Sequence, residues 1–232
     1  MVRKTFHIKS WYVKTYDEPE FNREEILRYA RAKETSSETC ALLDECLKEI
    51  SGKLCYKVCF SEIPLKCVSA DDDILDLTFT KVKSCDLKKN LSGADSIVIF
   101  AATIGLEIDR LINRYSRISP AKALFFQAIG TERIEALSNL FNSEVDERAK
   151  SEGKTTSPRF SPGYGDLPLD VQKDIFALLD CTKHIGLTLN NSLVMSPSKS
   201  VTAIIGIGDN LGEHNNNCQM CKKTDCVFRR EL

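Results

Sequence analysis

Two stretches of this 232-residue chain combine residue types that can do chemistry. The first is Arg159-Phe160-Ser161-Pro162-Gly163-Tyr164-Gly165-Asp166-Leu167-Pro168. Pro162 and Pro168 fix φ and remove amide donors, while Gly163 and Gly165 allow positive φ and let a ligand come close to the backbone. The run therefore predicts an ordered loop, not a helix interior or a central strand. Within it Arg159 offers a guanidinium to a carboxylate, Tyr164 a phenol to a polar substituent, and the main chain its N–H and C=O groups to a flat heterocycle. The same composition also suits a plain turn ahead of a helix.

The second stretch is the tail, where Cys218, Cys221 and Cys226 follow His214 at short spacing in polar surroundings. Three thiolates and an imidazole at this spacing can converge on zinc or an iron–sulfur cluster. Zinc would pin the tail, whereas a cluster would carry an electron. Free or disulfide-forming thiols are the other reading. The spacing matches neither a radical-cluster motif nor a nucleic-acid-binding zinc knuckle.

Elements that must position these residues follow from periodicity. Thr5 to Val13 reads as a strand or arm, and Asn22 as the N-cap of a short helix with acidic residues in its first turn. Leu42, Leu43, Cys46, Leu47 and Ile50 recur at helical spacing between Ser36 or Ser37 and Gly52. Leu54 to Ser84 reads as three strands, with Asp71-Asp72-Asp73 as a solvated turn, and Asp86 as the cap of a brief helix. Ser96 to Ala102 is apolar on both faces and predicts a buried strand. Helices are expected from Leu106 to Tyr115 and, with Ser119 and Pro120 opening it, from there to about Lys150. Leu124, Phe125, Ala128, Ile129, Ile134, Leu137, Leu140, Phe141 and Val145 give that long helix its apolar face. A helix over Leu169–Asp180 and strands over Ile185–Met195 and Ser200–Ile207 complete the pattern. Gly206-Ile207-Gly208-Asp209-Asn210-Leu211-Gly212 misplaces the third glycine of a dinucleotide fingerprint and reads as a turn. Strand connections too short for crossover helices predict an α+β fold with a largely antiparallel twisted sheet and packed helices.

Composition bounds the rest. Lysine and arginine total 32 against 33 acidic residues, a net charge of −1, so no global field recruits nucleic acid or an anionic membrane. Without a long apolar run or a signal-peptide core, a cytoplasmic protein is expected. Cys40, Cys46, Cys55, Cys59, Cys67, Cys85 and Cys181 lie among apolar residues and are expected to be reduced, core or semi-buried thiols.

The pattern Arg-x-x-Pro-Gly-Tyr-x-x-x-Pro at Arg159–Pro168, followed by Met195-Ser196-Pro197-Ser198-Lys199-Ser200-Val201, resembles the activation domain of cobalamin-dependent methionine synthase. The likeness spans about residues 119–208, within an expected domain over 1–211 and ahead of a cysteine-rich tail over 212–232. It implies a stand-alone domain that binds S-adenosylmethionine and supports reductive methylation of cob(II)alamin on a partner, as a methyltransferase component. The partner would be the methionine synthase or another corrinoid protein, which carries the cobalamin, and an electron donor would act with them. Carried over by position, Arg159 pairs with the ligand carboxylate and Ser161, Pro162 and Gly163 hold the adenine. Tyr164 orients the reactive end, and Glu135 offsets the positive charge. Gly165-Asp166-Leu167 departs from that family's loop. A redox activator of a corrinoid protein using the tail, or a non-catalytic adaptor docking on it, are the alternatives.

Overall fold

The run from Ser96 to Thr103 forms the middle strand of the molecule because it is apolar on both faces and its side chains are covered on both. The computed structural model describes residues 11–32, 36–65, 74–209 and 211. In chain order the elements are β1 (Tyr12–Tyr16), α1 (Arg23–Ala30), α2 (Ser37–Ile50), β2 (Tyr56–Pro64), β3 (Ile74–Asp76), β4 (Lys81–Lys83), α3 (Cys85–Asn90), β5 (Ser96–Thr103), α4 (Glu107–Ile118), α5 (Pro120–Ser151), β6 (Thr155–Thr156), α6 (Val171–Leu179), α7 (Cys181–Ile185), β7 (Thr188–Leu189), β8 (Met195–Ser196) and β9 (Ser200–Gly208). The main sheet has the order β1-β2-β5-β9-β6 and every pairing in it is antiparallel. The expected α+β architecture is the one observed.

Alternation along β5 assigns the two apolar layers. Val98, Phe100 and Ala102 face α1, α2, α4 and α5, while Ile97, Ile99 and Ala101 face α6, α7 and the β3–β4 hairpin. The thiols of Cys59 and Cys181 meet in the second layer at 3.9 Å. Burial pushes the Cys46 thiol up to about 12, so it behaves as a small hydrophobe. Cys55 and Cys85 are exposed, contrary to the expectation for that set, and Cys67 lies outside the described residues.

Several local expectations change. Ser84, not Asp86, caps α3, because its hydroxyl accepts the Leu87 amide. Leu124 and Leu140 are partly exposed and do not complete the α5 stripe. Ile185–Met195 is not one strand: Ile185 ends α7, and β7 and β8 form a small hairpin. Asn190 turns it by accepting the amides of Ser192 and Val194, an Asx-type bond that competes with strand pairing. The strand expected at Thr5–Val13 falls mostly outside the described residues, as does the acidic triplet at Asp71–Asp73.

The long helix α5 carries a buried ion pair that sequence periodicity does not flag. Arg133 is fully buried, bonds both carboxylate oxygens of Glu132, and donates to the carbonyls of Pro19 and Glu20. Its guanidinium also lies over the Phe21 ring at 4.2 Å. These contacts fix the segment that leads into α1, and α1 carries Tyr29 toward the cleft described below. Arg133→Ala would leave Glu132 buried without its counter-charge, so unfolding by urea is expected to show a loss of roughly 3–5 kcal/mol; a loss below about 1 kcal/mol would rule out this clamp.

Candidate functional site

The loop from Arg159 to Pro168 crosses the outer edge of β9. Phe160 and Ile204 exchange both main-chain hydrogen bonds, at 2.8 and 2.9 Å, and β6 pairs with Gly208 and Ile207 further along. Between Ser200 and Thr202 no strand of the described residues lies beside this edge, and a cavity of about 570 Å³ opens there. Its walls include Ile134 and Glu135 of α5, Arg159, Phe160, Ser161, Pro162 and Tyr164 of the loop, Gln172 of α6, and Met195, Ser200, Val201 and Thr202. A second cleft of about 340 Å³ shares Glu135 and Tyr164 and is lined also by Tyr29, Leu124 and Thr131. Both volumes fall within the usual range of ligand sites.

The loop is ordered by its own turns and by one distant carboxylate. Gly163 N–H donates to the Leu167 carbonyl, Tyr164 N–H to Ser161, and Leu167 N–H to Tyr164. Gly163 takes φ of +90° and shapes the turn behind the cavity wall. At Gly165, whose φ is +53°, a Cβ would meet Asp86 Oδ2 at 2.5 Å, so a larger residue would strain the backbone and displace the Asp86 side chain. Asp166 then bonds the Ser84 hydroxyl, the Cys85 amide at 2.6 Å and the Asp86 amide at 3.2 Å. The Ser84 bond, helped by the two amides, holds the Asp166 carboxyl below the usual carboxylate range. The residues that depart from the family pattern are thus the loop's anchor.

Of the side chains singled out by sequence, Arg159, Ser161, Pro162, Tyr164 and Glu135 meet in one cavity. Arg159 pairs with Glu135 at 2.5 Å and also bonds the Asn139 carboxamide at 2.8 Å. Tyr164 is exposed and stands at the lip shared by the two clefts. His214, Cys218, Cys221 and Cys226 lie outside the described residues, and among the described residues no cluster of three or more metal-ligating side chains occurs. None of the described helices is long and apolar enough to cross a membrane.

Sequence reasoning passed over Gln172, Thr202 and Lys199. Gln172 shares a helix face with Ile175 and Leu179, and a polar residue in an apolar stripe was a readable signal. The stem of Lys199 lies against Gly130 of α5, where a Cβ would stand 2.9 Å from it. Its ammonium donates to Thr131 at 3.0 Å, and burial holds it below the ordinary lysine range although the charge of Asp109 opposes this. A lysine stem laid across a glycine of α5 is a contact no local pattern announces.

An antiparallel sheet whose opened edge meets a proline- and glycine-turned loop defines an α+β domain with a cleft at the sheet margin. The model of one protein family, vitamin B12 dependent methionine synthase, activation domain, matches residues 87–211, and the chain belongs to that family. The match begins well before the motif-bearing stretch and takes in most of α3 together with β5 and α4. The fold is similar to that in the crystal structure of the MetH reactivation domain bound to AdoHcy, with a TM-score of 0.62 and 20% identity over 90% of this chain and 81% of that one. No curated protein matches the chain.

Because the folded state depresses the Asp166 pKa, its contribution to stability is complete above the unfolded value of about 3.9 and is lost as pH falls through the lower folded value. Thermal melts should show Asp166→Asn less stable than wild type near pH 7, with the difference shrinking below about pH 4. A difference independent of pH would contradict an ionised anchor.

Proposed function

We propose that the chain binds S-adenosylmethionine in the cleft between α5, the 159–168 loop and the open edge of β9. There it supports reductive methylation of cob(II)alamin carried by a partner, a cobalamin-dependent methionine synthase or a related corrinoid protein. The observation that carries this reading is the Arg159–Glu135 ion pair in the cavity wall. The ligand ends in an amino acid and a sulfonium, so it brings one negative and two positive charges to a wall that presents one cation and one anion. Its carboxylate can take the Arg159 guanidinium and its positive groups the Glu135 carboxylate, which replaces an internal pair by two intermolecular ones. The buried oxygens of Gln172 and Thr202, which lack partners among the described residues, also fit a polar ligand.

S-adenosylmethionine supplies an electrophilic methyl group, and a separate donor supplies the electron. The chain's own residues bind and orient. Arg159 and Glu135 hold the amino-acid end, the Ser161–Gly163 segment covers the base, and Tyr164 at the exposed lip directs the reactive end toward solvent and the partner. Leu124, half-exposed in the adjoining cleft, adds apolar surface at that mouth.

Calorimetric titration tests this directly: one saturable site for S-adenosylmethionine or S-adenosylhomocysteine is expected, and no binding by folded protein would exclude the reading. Hydrogen bonds to charged groups are worth roughly 1.5–3 kcal/mol. Arg159→Ala should therefore weaken binding by about 10- to 100-fold, and unchanged affinity would remove Arg159 from the carboxylate site.

A further inference from the structure

Two polar side chains in the cavity wall are almost wholly buried, and one oxygen of each has no hydrogen-bond partner among the described residues. Gln172 is 5% exposed and Thr202 2% exposed, yet among the described residues Gln172 Oε1 and Thr202 Oγ1 make no hydrogen bond. Polar atoms removed from water in this way are stable only at a cost, and native proteins keep very few of them without a reason. Both side chains line the same cavity, so a molecule placed there can supply what the protein does not.

Their positions are set by regular structure. On α6, Gln172 lies in the stripe of Ile175 and Leu179, which packs on the sheet. On β9, Thr202 alternates with Ile204, which belongs to the layer under α6, so the two polar groups share one side of the sheet. The strand edge adds to this. Ile204 turns its N–H and C=O outward to Phe160, and the two-residue alternation of an antiparallel ladder turns those of Thr202 to the same open edge.

Elsewhere in the cavity wall, several donors that could meet a heterocycle are already engaged. The amides of Gly163 and Tyr164 close turns within the loop, Pro162 has none, and the Arg159 guanidinium is held by Glu135 and Asn139. A carboxamide presents an acceptor beside a donor, the complement of adenine, whose 6-amino group is a donor beside the N7 acceptor.

We propose that Gln172 is the specificity-determining residue for the base, pairing its carboxamide with the amino group and N7 of adenine while the Thr202 hydroxyl bonds the same ligand. The site is thereby selective for a 6-aminopurine. This rests on the cavity being the S-adenosylmethionine site.

The test compares S-adenosylhomocysteine with S-inosylhomocysteine, which carries a 6-oxo group, by calorimetry on wild type and Gln172→Leu. Wild type should prefer the adenosyl compound by roughly 10- to 100-fold. Gln172→Leu should lose most of that preference, chiefly by weaker binding of the adenosyl compound. Without ligand its Tm should equal or exceed that of wild type, because leucine removes a buried carboxamide whose oxygen has no partner among the described residues. Thr202→Val should weaken both compounds alike while also leaving the ligand-free Tm intact. Equal wild-type affinity for the two compounds, unchanged discrimination in Gln172→Leu, or a marked fall in its ligand-free Tm would each overturn the assignment. The last would mean that the carboxamide serves packing. If wild type binds neither compound, the reading of the cavity falls with it; if it binds the adenosyl compound and Gln172→Leu binds it equally well, only the role of Gln172 falls.

Discussion

The outer edge of β9 is the constraint on which the cleft depends. One side of this strand is hydrogen-bonded to β5 from Ser200 to Ile207, so its other side presents a row of main-chain groups that need partners or water. Phe160, Ser157 and β6 cover the row from Ile204 onward. Because the loop touches the strand at Phe160 and then turns away through Pro162 and Gly163, the beginning of the strand stays open. The Asp166 anchor on the far side stops the loop from collapsing back over it. A sheet margin, usually protected against other chains, becomes here the back wall of a cavity.

Electrostatics in the cleft follows the same logic of groups held ready. Arg159 and Glu135 neutralise each other while still lining the cavity, so neither is an uncompensated charge. Both are partly exposed, which keeps the pair weak enough to exchange. The Glu132–Arg133 pair one turn away is the opposite case. It is buried, bonded to main-chain carbonyls, and has no access to the cleft, so it serves position and not binding. Four consecutive residues of α5 thus divide between a structural ion pair and the cleft wall that Ile134 and Glu135 form.

What could be read from sequence was whatever left a local mark. Pro162, Gly163 and the Met-x-Pro-x-x-Ser-Val segment stand out by composition, and Pro162, Met195, Ser200 and Val201 line one cavity. The spacing of Phe125, Ile129 and Phe141 announced α5, and unbroken apolarity announced β5. Contacts made across the fold left no such mark. Asp166 anchors to Ser84, more than eighty positions away in the chain, and Arg133 reaches back more than a hundred to Pro19 and Glu20. The strand expected over Ile185–Met195 is interrupted at Asn190, because an Asx-type turn depends on side-chain geometry that apolar patterning does not encode. Gln172 was legible in principle, as the polar member of an otherwise apolar face.

The most direct test of the account is hydrogen–deuterium exchange with and without S-adenosylhomocysteine, read by peptide mass spectrometry. A ligand seated at the opened margin should slow exchange in peptides covering residues 159–167 and 200–204, where main-chain amides border the cavity, and leave β1, β2 and α2 unchanged. Protection confined to other segments, or none at a saturating ligand concentration, would contradict the claim that the unpaired edge of β9 is the binding site.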